Sequence, residues 1–289
     1  MPRIIQIHPN ILLYLIFFKS FAYNWHKKKS YLCRMSASSN CGLPNKTMQP
    51  QYPIIIALPL REGLRNVNAF YAPLVEIEPV RAGSFVGDTR LGGVVNFKNV
   101  RLNPHGNGTH TECVGHIATE PYTLPQCLQR YWFAAQLISV YPQATDNGDR
   151  IITAEQLQDL VQLPAPEALI IRTLPNDDLK MYSNYSGANP PYLHHEAAEW
   201  IAHQGIAHLL IDLPSVDREE DGGKLLAHKA FWQYPHHTRL HSTITELIYV
   251  PNHVKDGAYY LNLMVTALEL DASPSMPVLY RKEGLPFRK

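Results

Sequence analysis

The chain has 289 residues, 45% of them hydrophobic and 18% charged, with a formal net charge of +1. This composition suits a globular chain able to bury a sizeable core and excludes a low-complexity polymer. Residues 1–50 hold seven basic residues (Arg3, Lys19, Lys27, Lys28, Lys29, Arg34 and Lys46) and no acid, so the remainder sums to −6 against +1 overall, which argues against a nucleic-acid-binding body.

The first fifty residues read as foreign to the rest. Ile11 to Phe18 is an apolar run too short to span a bilayer, with Arg3 before it and Lys19 directly after. The run has the form of a secretory core without a small-residue cleavage site. The acid-poor, basic composition also fits an organelle transit peptide, and Met35 or Met48 could be the true start. Residues 1–50 are therefore set apart as an N-terminal extension, and residues 51–289 as one domain. No stable membrane span is expected. The expected location is cytoplasmic, with export or organelle targeting left open by the extension.

The domain begins with a short buried strand at 53–59, bounded by prolines, and a loop over 62–72. Strands are predicted at 74–80 and at 94–102, the second ending at Pro104, and another at 137–141. Thr153 followed by Gln156 has capping-box form, and Leu157, Leu160 and Val161 give a helical face over 154–162. Ala168 to Thr173 and Ala207 to Asp212 read as buried strands on either side of a helix over 192–204, stopped by Gly205. Strand, helix, strand predicts a βαβ crossover and some parallel sheet. Further strands are predicted at 243–251 and 259–270. The class is mixed α/β with strands dominating.

Chemistry concentrates in residues 105–116, His-Gly-Asn-Gly-Thr-His-Thr-Glu-Cys-Val-Gly-His. Pro104 and the three glycines argue for a loop or strand-loop element. In extended chain His110 and Glu112 project to one face, and Gly106 and Gly108 let the backbone turn so that His105 reaches it. Imidazole with carboxylate suits zinc, manganese or iron(II) rather than calcium. Four cysteines in a chain this long do not make a disulfide framework, no Cys-x-x-Cys pair is present, and Cys113 reads as a small buried thiol beside the site. A second donor group follows the strand 207–212: Ser215, Asp217, the acidic run Glu219 to Asp221, and His228. Sites in open α/β sheets lie beyond strand carboxyl ends. Glu246, leading into an apolar strand, needs a partner. Glu219, Glu220 and Asp221 read as a solvated turn, and His236, His237 and His241 as a solvated loop. His194, His195, His203 and His208 carry no assigned chemistry.

These two segments resemble the cyclase family of metal-dependent hydrolases, which includes bacterial kynurenine formamidase and isatin hydrolase. The family run His-x-Gly-Thr-His-x-Asp-x-x-x-His is matched by His105, Gly108-Thr109-His110, Glu112 and His116, with one extra residue before His110 and glutamate in place of aspartate at 112. Asp212-Leu-Pro-Ser-Val-Asp217, then His228 and Glu246 at a longer gap, match a second signature. The resemblance implies a swivelling β/β/α fold and a homodimer or higher homo-oligomer. It implies one or two divalent metals, zinc or manganese, held by His105, His110, Glu112, His228 and Glu246. It implies His116 as the proton-transfer residue, although His116 could instead be a further ligand or support one. The implied reaction is hydrolysis of a small-molecule carbon–nitrogen amide bond, such as an N-formyl aryl amide or a cyclic amide, by metal-activated water. Two alternatives stand beside it: a cupin-like metal oxygenase or isomerase, which is all-β, and a non-catalytic metal-binding protein on the same scaffold. No serine-hydrolase elbow, phosphate-binding loop or dinucleotide fingerprint is present.

Overall fold

Four hydrophobic stretches pair as adjacent parallel strands and set the architecture. The computed structural model describes residues 53–282, so the extension over 1–50 lies outside the described residues. The strands run β1 (Ile54–Ile55), β2 (Glu76–Pro79), β3 (Arg81–Ala82), β4 (Phe85–Val86), β5 (Lys98–Arg101), β6 (His110–Glu112), β7 (Trp132–Val140) and β8 (Gln143–Ala144). They continue with β9 (Arg150–Ile152), β10 (Ala168–Thr173), β11 (Tyr192–Leu193), β12 (His208–Ile211), β13 (Thr243–Glu246), β14 (Gly257–Val265) and β15 (Ala272–Arg281). The α-helices are α1 (Leu124–Cys127), α2 (Ala154–Leu160), α3 (His195–His203) and α4 (Leu226–Trp232).

The main sheet has the order β1-β15-β14-β7-β10-β12-β13-β6, and β6 pairs with β15 as well as β13, which closes the sheet on itself. β7, β10, β12 and β13 are mutually parallel. Side chains of these strands alternate between two cores. Leu169, Ile171, Leu209, Ile211 and Ile244 pack with Ala197, Ala198 and Ile201 of α3 and with Phe231 and Trp232 of α4. Leu137, Ile170 and Leu210 pack on the other face with Leu261, Leu263 and Leu279. All six residues of β10 are buried, as a strand covered on both faces requires.

The βαβ crossover is present as β10–α3–β12, and Thr153 and Gln156 form the predicted capping box at α2. Several limits differ from expectation, each for a tertiary reason. The predicted strand 243–251 stops at Glu246 because Leu247 turns the chain with φ 53°. The helix predicted from 192 starts at His195, because Tyr192 and Leu193 pair with β9 instead. The predicted strand 259–270 is Gly257–Val265, and the unexpected β15 follows it. Pro274 and Pro277 obscure β15 in sequence, yet the Pro277 carbonyl accepts from Ile56 N at 3.1 Å and that of Pro274 from Thr266 N at 3.2 Å. α4 was also unexpected; its entry residue Leu225 has φ 49°, and its first amides are held by Asp217, ten residues upstream of Ala227. Parallel strands and packed helices exclude the all-β cupin architecture.

Candidate metal centre

β6 carries His110 and Glu112 on one face and Thr111 on the other. It lies antiparallel to β13 with Glu246 opposite His110 and Ile244 opposite Glu112. Direct cross-strand partners share a face at about 5 Å between Cβ atoms, so the register alone places His110, Glu112 and Glu246 together. That face is the one α4 covers, since Ile244 packs with Phe231 and Trp232. Thr111 points away and meets Thr245 Oγ1 at 2.8 Å.

His105 approaches from the loop before β6. Gly106, expected to let the backbone turn so that His105 reaches this face, does so without a left-handed φ. Its contribution is the missing side chain: a Cβ there would lie 2.4 Å from Ala72 Cβ and 2.9 Å from Ala69 O. His116 follows β6 in a short 3-10 turn, Val114–His116, where a Cβ on Gly115 would lie 2.0 Å from Tyr122 O. His228 enters from α4. Asp217 accepts from Ala227 N at 2.7 Å and His228 N at 3.1 Å, and its Oδ2 lies 2.5 Å from His228 Nδ1.

The donor atoms converge. His228 Nε2 lies 3.1 Å from Glu112 Oε1 and 3.9 Å from Glu246 Oε1. His105 Nδ1 is 3.2 Å and His116 Nδ1 3.7 Å from Glu112 Oε2, and His110 Nε2 is 3.4 Å from Glu246 Oε2. Val216 N donates to Glu246 Oε1 at 2.9 Å. Two triplets, His105/Glu112/His116 and His110/Glu112/Glu246, have ligand atoms within 4.8 Å of one another and share Glu112.

A common pattern orients three of the rings. His110 Nδ1 bonds the Gly108 carbonyl at 2.9 Å, His228 Nδ1 bonds Asp217, and His105 Nε2 bonds Asp271 Oδ2 at 3.0 Å. Where one ring nitrogen donates outward, the other is the nitrogen left to face inward, and it becomes the lone pair a metal ligand needs once its own proton is given up. His110 Nε2 and Glu112 Oε2 are buried and make no hydrogen bond; the approach of His105 Nδ1 to Glu112 Oε2 lacks the direction of one. Buried unsatisfied polar atoms are costly, so two of them in one cluster mark a place where a cation fits.

Electrostatics agree. Burial opposes charge on His105, yet the neighbouring carboxylates of Asp271 and Glu112 outweigh it and raise the imidazole to about 10. Burial likewise opposes charge on His228, and Asp217, Glu112 and Glu246 raise it to about 10. Glu112 is fully buried, which favours its neutral form, but His116, His105 and His228 hold its carboxyl well below the usual range. Without a cation, protons on imidazole supply the positive charge that this acidic cluster needs.

The site opens into a cavity of about 500 Å³ lined by Phe70, Tyr71, His105, His116, His228 and Glu246, among others. Phe70 and Tyr71 are consecutive residues with φ 56° and 52°, a backbone that non-glycine residues rarely adopt. All six sequence-predicted site residues are thus gathered in one cluster. Asp271 was missed: it is 166 residues from His105 and has no local motif. Glu219 and Asp221 lie in a partly exposed turn, as expected, and also hold backbone amides. Both Glu219 oxygens accept from Gly187 N at 3.0 Å, and Asp221 accepts from Gly223 N, Lys224 N and Leu225 N. His236 and His237 are exposed as expected. His208 lies apart, packed on Phe133 with ring centroids 3.9 Å apart.

Comparison with known proteins places this geometry. The Cyclase family model, described as "Putative cyclase", matches residues 27–218, and so begins inside the segment set apart above and ends before His228 and Glu246. A kynurenine formamidase of Bacillus cytotoxicus is 28% identical over 189 residues, covering 65% of this chain and 81% of that protein. Among solved structures, one described as "Potential Metal-Dependent Hydrolase With Cyclase Activity" superposes with a TM-score of 0.59 at 16% identity, covering 81% of this chain and 99% of the other. Isatin hydrolase A from Labrenzia aggregata superposes with a TM-score of 0.58 at 12% identity, covering 80% and 94%. The solved structures speak to the fold, and the family match, spanning well over half of the sequence and including the whole 105–116 segment, identifies this chain as a member of the cyclase family.

Proposed function

We propose that the protein is a metal-dependent hydrolase of small-molecule carbon–nitrogen amide bonds, with an N-formyl aryl amide or a cyclic amide as substrate. The observation that carries the reading is the inward-facing, partnerless His110 Nε2 beside the partnerless Glu112 Oε2, in a cluster of imidazoles whose outer nitrogens are tied down. His105, His110, Glu112, His228 and Glu246 would hold one or two ions of zinc or manganese, with Glu112 shared because its two oxygens face different imidazoles. A bound divalent cation supplies Lewis acidity, which lowers the pKa of water to about 7 and polarises a carbonyl.

The chain's own residues do the rest. The side chains of Phe70 and Tyr71 line the mouth, and a flat aryl group matches such surfaces. His116 lines the cavity next to the donors without being tied to a backbone group, so it is placed to take a proton from the attacking water and return it to the leaving nitrogen. Kynurenine formamidase among the relatives supports the N-formyl aryl class, and isatin hydrolase among the structural neighbours supports a cyclic amide. Leu91, Val94, Val95, Phe97 and Val100 are exposed large apolar residues clustered within residues 91–100, which supports a homodimer, to be checked by light scattering. No helix among the described residues is long and apolar enough to cross a membrane, and a cytoplasmic location remains part of the proposal.

The deciding experiment loads purified protein with zinc or manganese and assays N-formylanilines and cyclic imides. Wild-type protein is expected to hydrolyse one class, and His110→Ala to lose metal and turnover together. Tight metal retention with silence on every amide would move the reading to the non-catalytic binder.

A further inference from the structure

We propose that Asp271 is a positioning residue that fixes the imidazoles of His105 and His116 together, setting the nitrogen each presents to the site. The inference rests on the hydrolase reading above for its meaning, but its evidence is separate. Asp271 Oδ2 receives a hydrogen bond from His105 Nε2 at 3.0 Å and lies 3.4 Å from His116 Nδ1. The two rings stack with centroids 4.4 Å apart and planes 35° from parallel. One carboxylate oxygen therefore serves a ring from the metal-ligand set and the ring assigned to proton transfer.

The consequences for the two rings differ. With Nε2–H donated to Asp271, His105 turns Nδ1 to the site, where it faces Glu112 Oε2 at 3.2 Å and offers its lone pair once a cation displaces the proton. With Nδ1 turned to Asp271, His116 keeps Nε2 for a substrate in the cavity that it lines. This is the arrangement by which a carboxylate behind an imidazole selects its tautomer and stabilises the imidazolium formed when it takes a proton.

The main chain at this point is held independently of the carboxylate. Asp271 O accepts from Cys113 N at 2.9 Å, Leu270 O accepts from Leu124 N at 2.7 Å, and β15 continues at once with Ala272 opposite Glu112. A Cβ on Gly115 would lie 3.2 Å from Asp271 Cβ, so glycine there lets the His116 turn sit against this residue. Because the backbone is pinned on both sides, removing the side chain tests orientation rather than folding.

The test uses full-length wild-type protein, Asp271→Ala and Asp271→Asn, each zinc-loaded, with ¹⁵N-labelled histidine. Nitrogen NMR is expected to show wild-type His105 protonated at Nε2 and His116 at Nδ1. Asp271→Ala should give mixed or reversed tautomers at both rings and zinc affinity lower by roughly 10-fold or more. Asp271→Asn, which keeps one acceptor oxygen and nearly the same shape, should fall between the two. In kinetics, Asp271→Ala is expected to lower kcat on N-formylaniline by roughly 10–100-fold with KM within about threefold. The loss should be smaller on p-nitrophenyl formate, whose leaving group needs no proton. Unchanged tautomers at both rings in Asp271→Ala would overturn the proposal, as would equal losses on the anilide and the ester. If wild-type protein leaves every amide intact, the hydrolase reading falls, while the tautomers and zinc affinity still decide the role of Asp271.

Discussion

His208 provides a quantitative test of the fold that presents the site. It opens β12, the strand whose far end leads into Asp212 and on to Asp217. Burial first, and then the nearby positive charge of Arg130 and Arg239, lower its imidazole from 6.5 to about 4. A folded pKa below the unfolded one means that the unfolded chain binds the proton first. The contribution of neutral His208 is therefore complete above about pH 6.5 and is lost as the pH falls towards 4. At about 1.36 kcal/mol per unit, this loss is about 3 kcal/mol. His208→Leu removes the titration and also the bond between His208 Nδ1 and Thr243 Oγ1, 2.9 Å long, worth about 1 kcal/mol at every pH. Urea denaturation of wild-type and His208→Leu proteins at steps from pH 7.5 to 4 should give curves that converge or cross, with wild type losing about 3 kcal/mol more. Parallel curves would refute the assignment of a buried neutral imidazole.

The remaining predictions concern the centre itself. His116→Ala should keep its metal while kcat falls by roughly 10²–10⁴-fold, and loss of metal in that variant would make His116 a ligand. Asp217→Asn removes the charged partner 2.5 Å from His228 Nδ1 and should weaken zinc binding by roughly 10–100-fold, read by competition with a chromophoric chelator. Since His105 and His228 are raised to about 10 in the absence of metal, zinc must displace protons from them. Calorimetry in buffers of different ionisation enthalpy should show proton release at pH 7–8 and affinity rising with pH; proton uptake or no release would contradict the charge state described here.

Part of this protein is written locally. The hydrophobic runs of β10 and β12, with a periodic helix between them, specify a parallel pair because strand and helix patterns depend on neighbouring residues. The donors His105, His110, Glu112 and His116 lie in one short stretch, and the alternation of extended chain puts His110 and Glu112 on a common face. His228 and Glu246 were placed by their likeness to the cyclase family, not by composition.

Other features depend on groups distant in the chain. The opposition of Glu246 to His110 is a matter of register between β13 and β6, two strands far apart in the chain. α4 is short and starts at a strained residue, and its first amides are satisfied by Asp217 across space. Asp271 carries no motif, and its relation to His105 and His116 exists only once β15 lies beside β6. Residue type and spacing determined which side chains could donate to a cation. Sheet closure decided which atoms face one another, because a strand's register and a ring's tautomer are set by partners that only folding brings near.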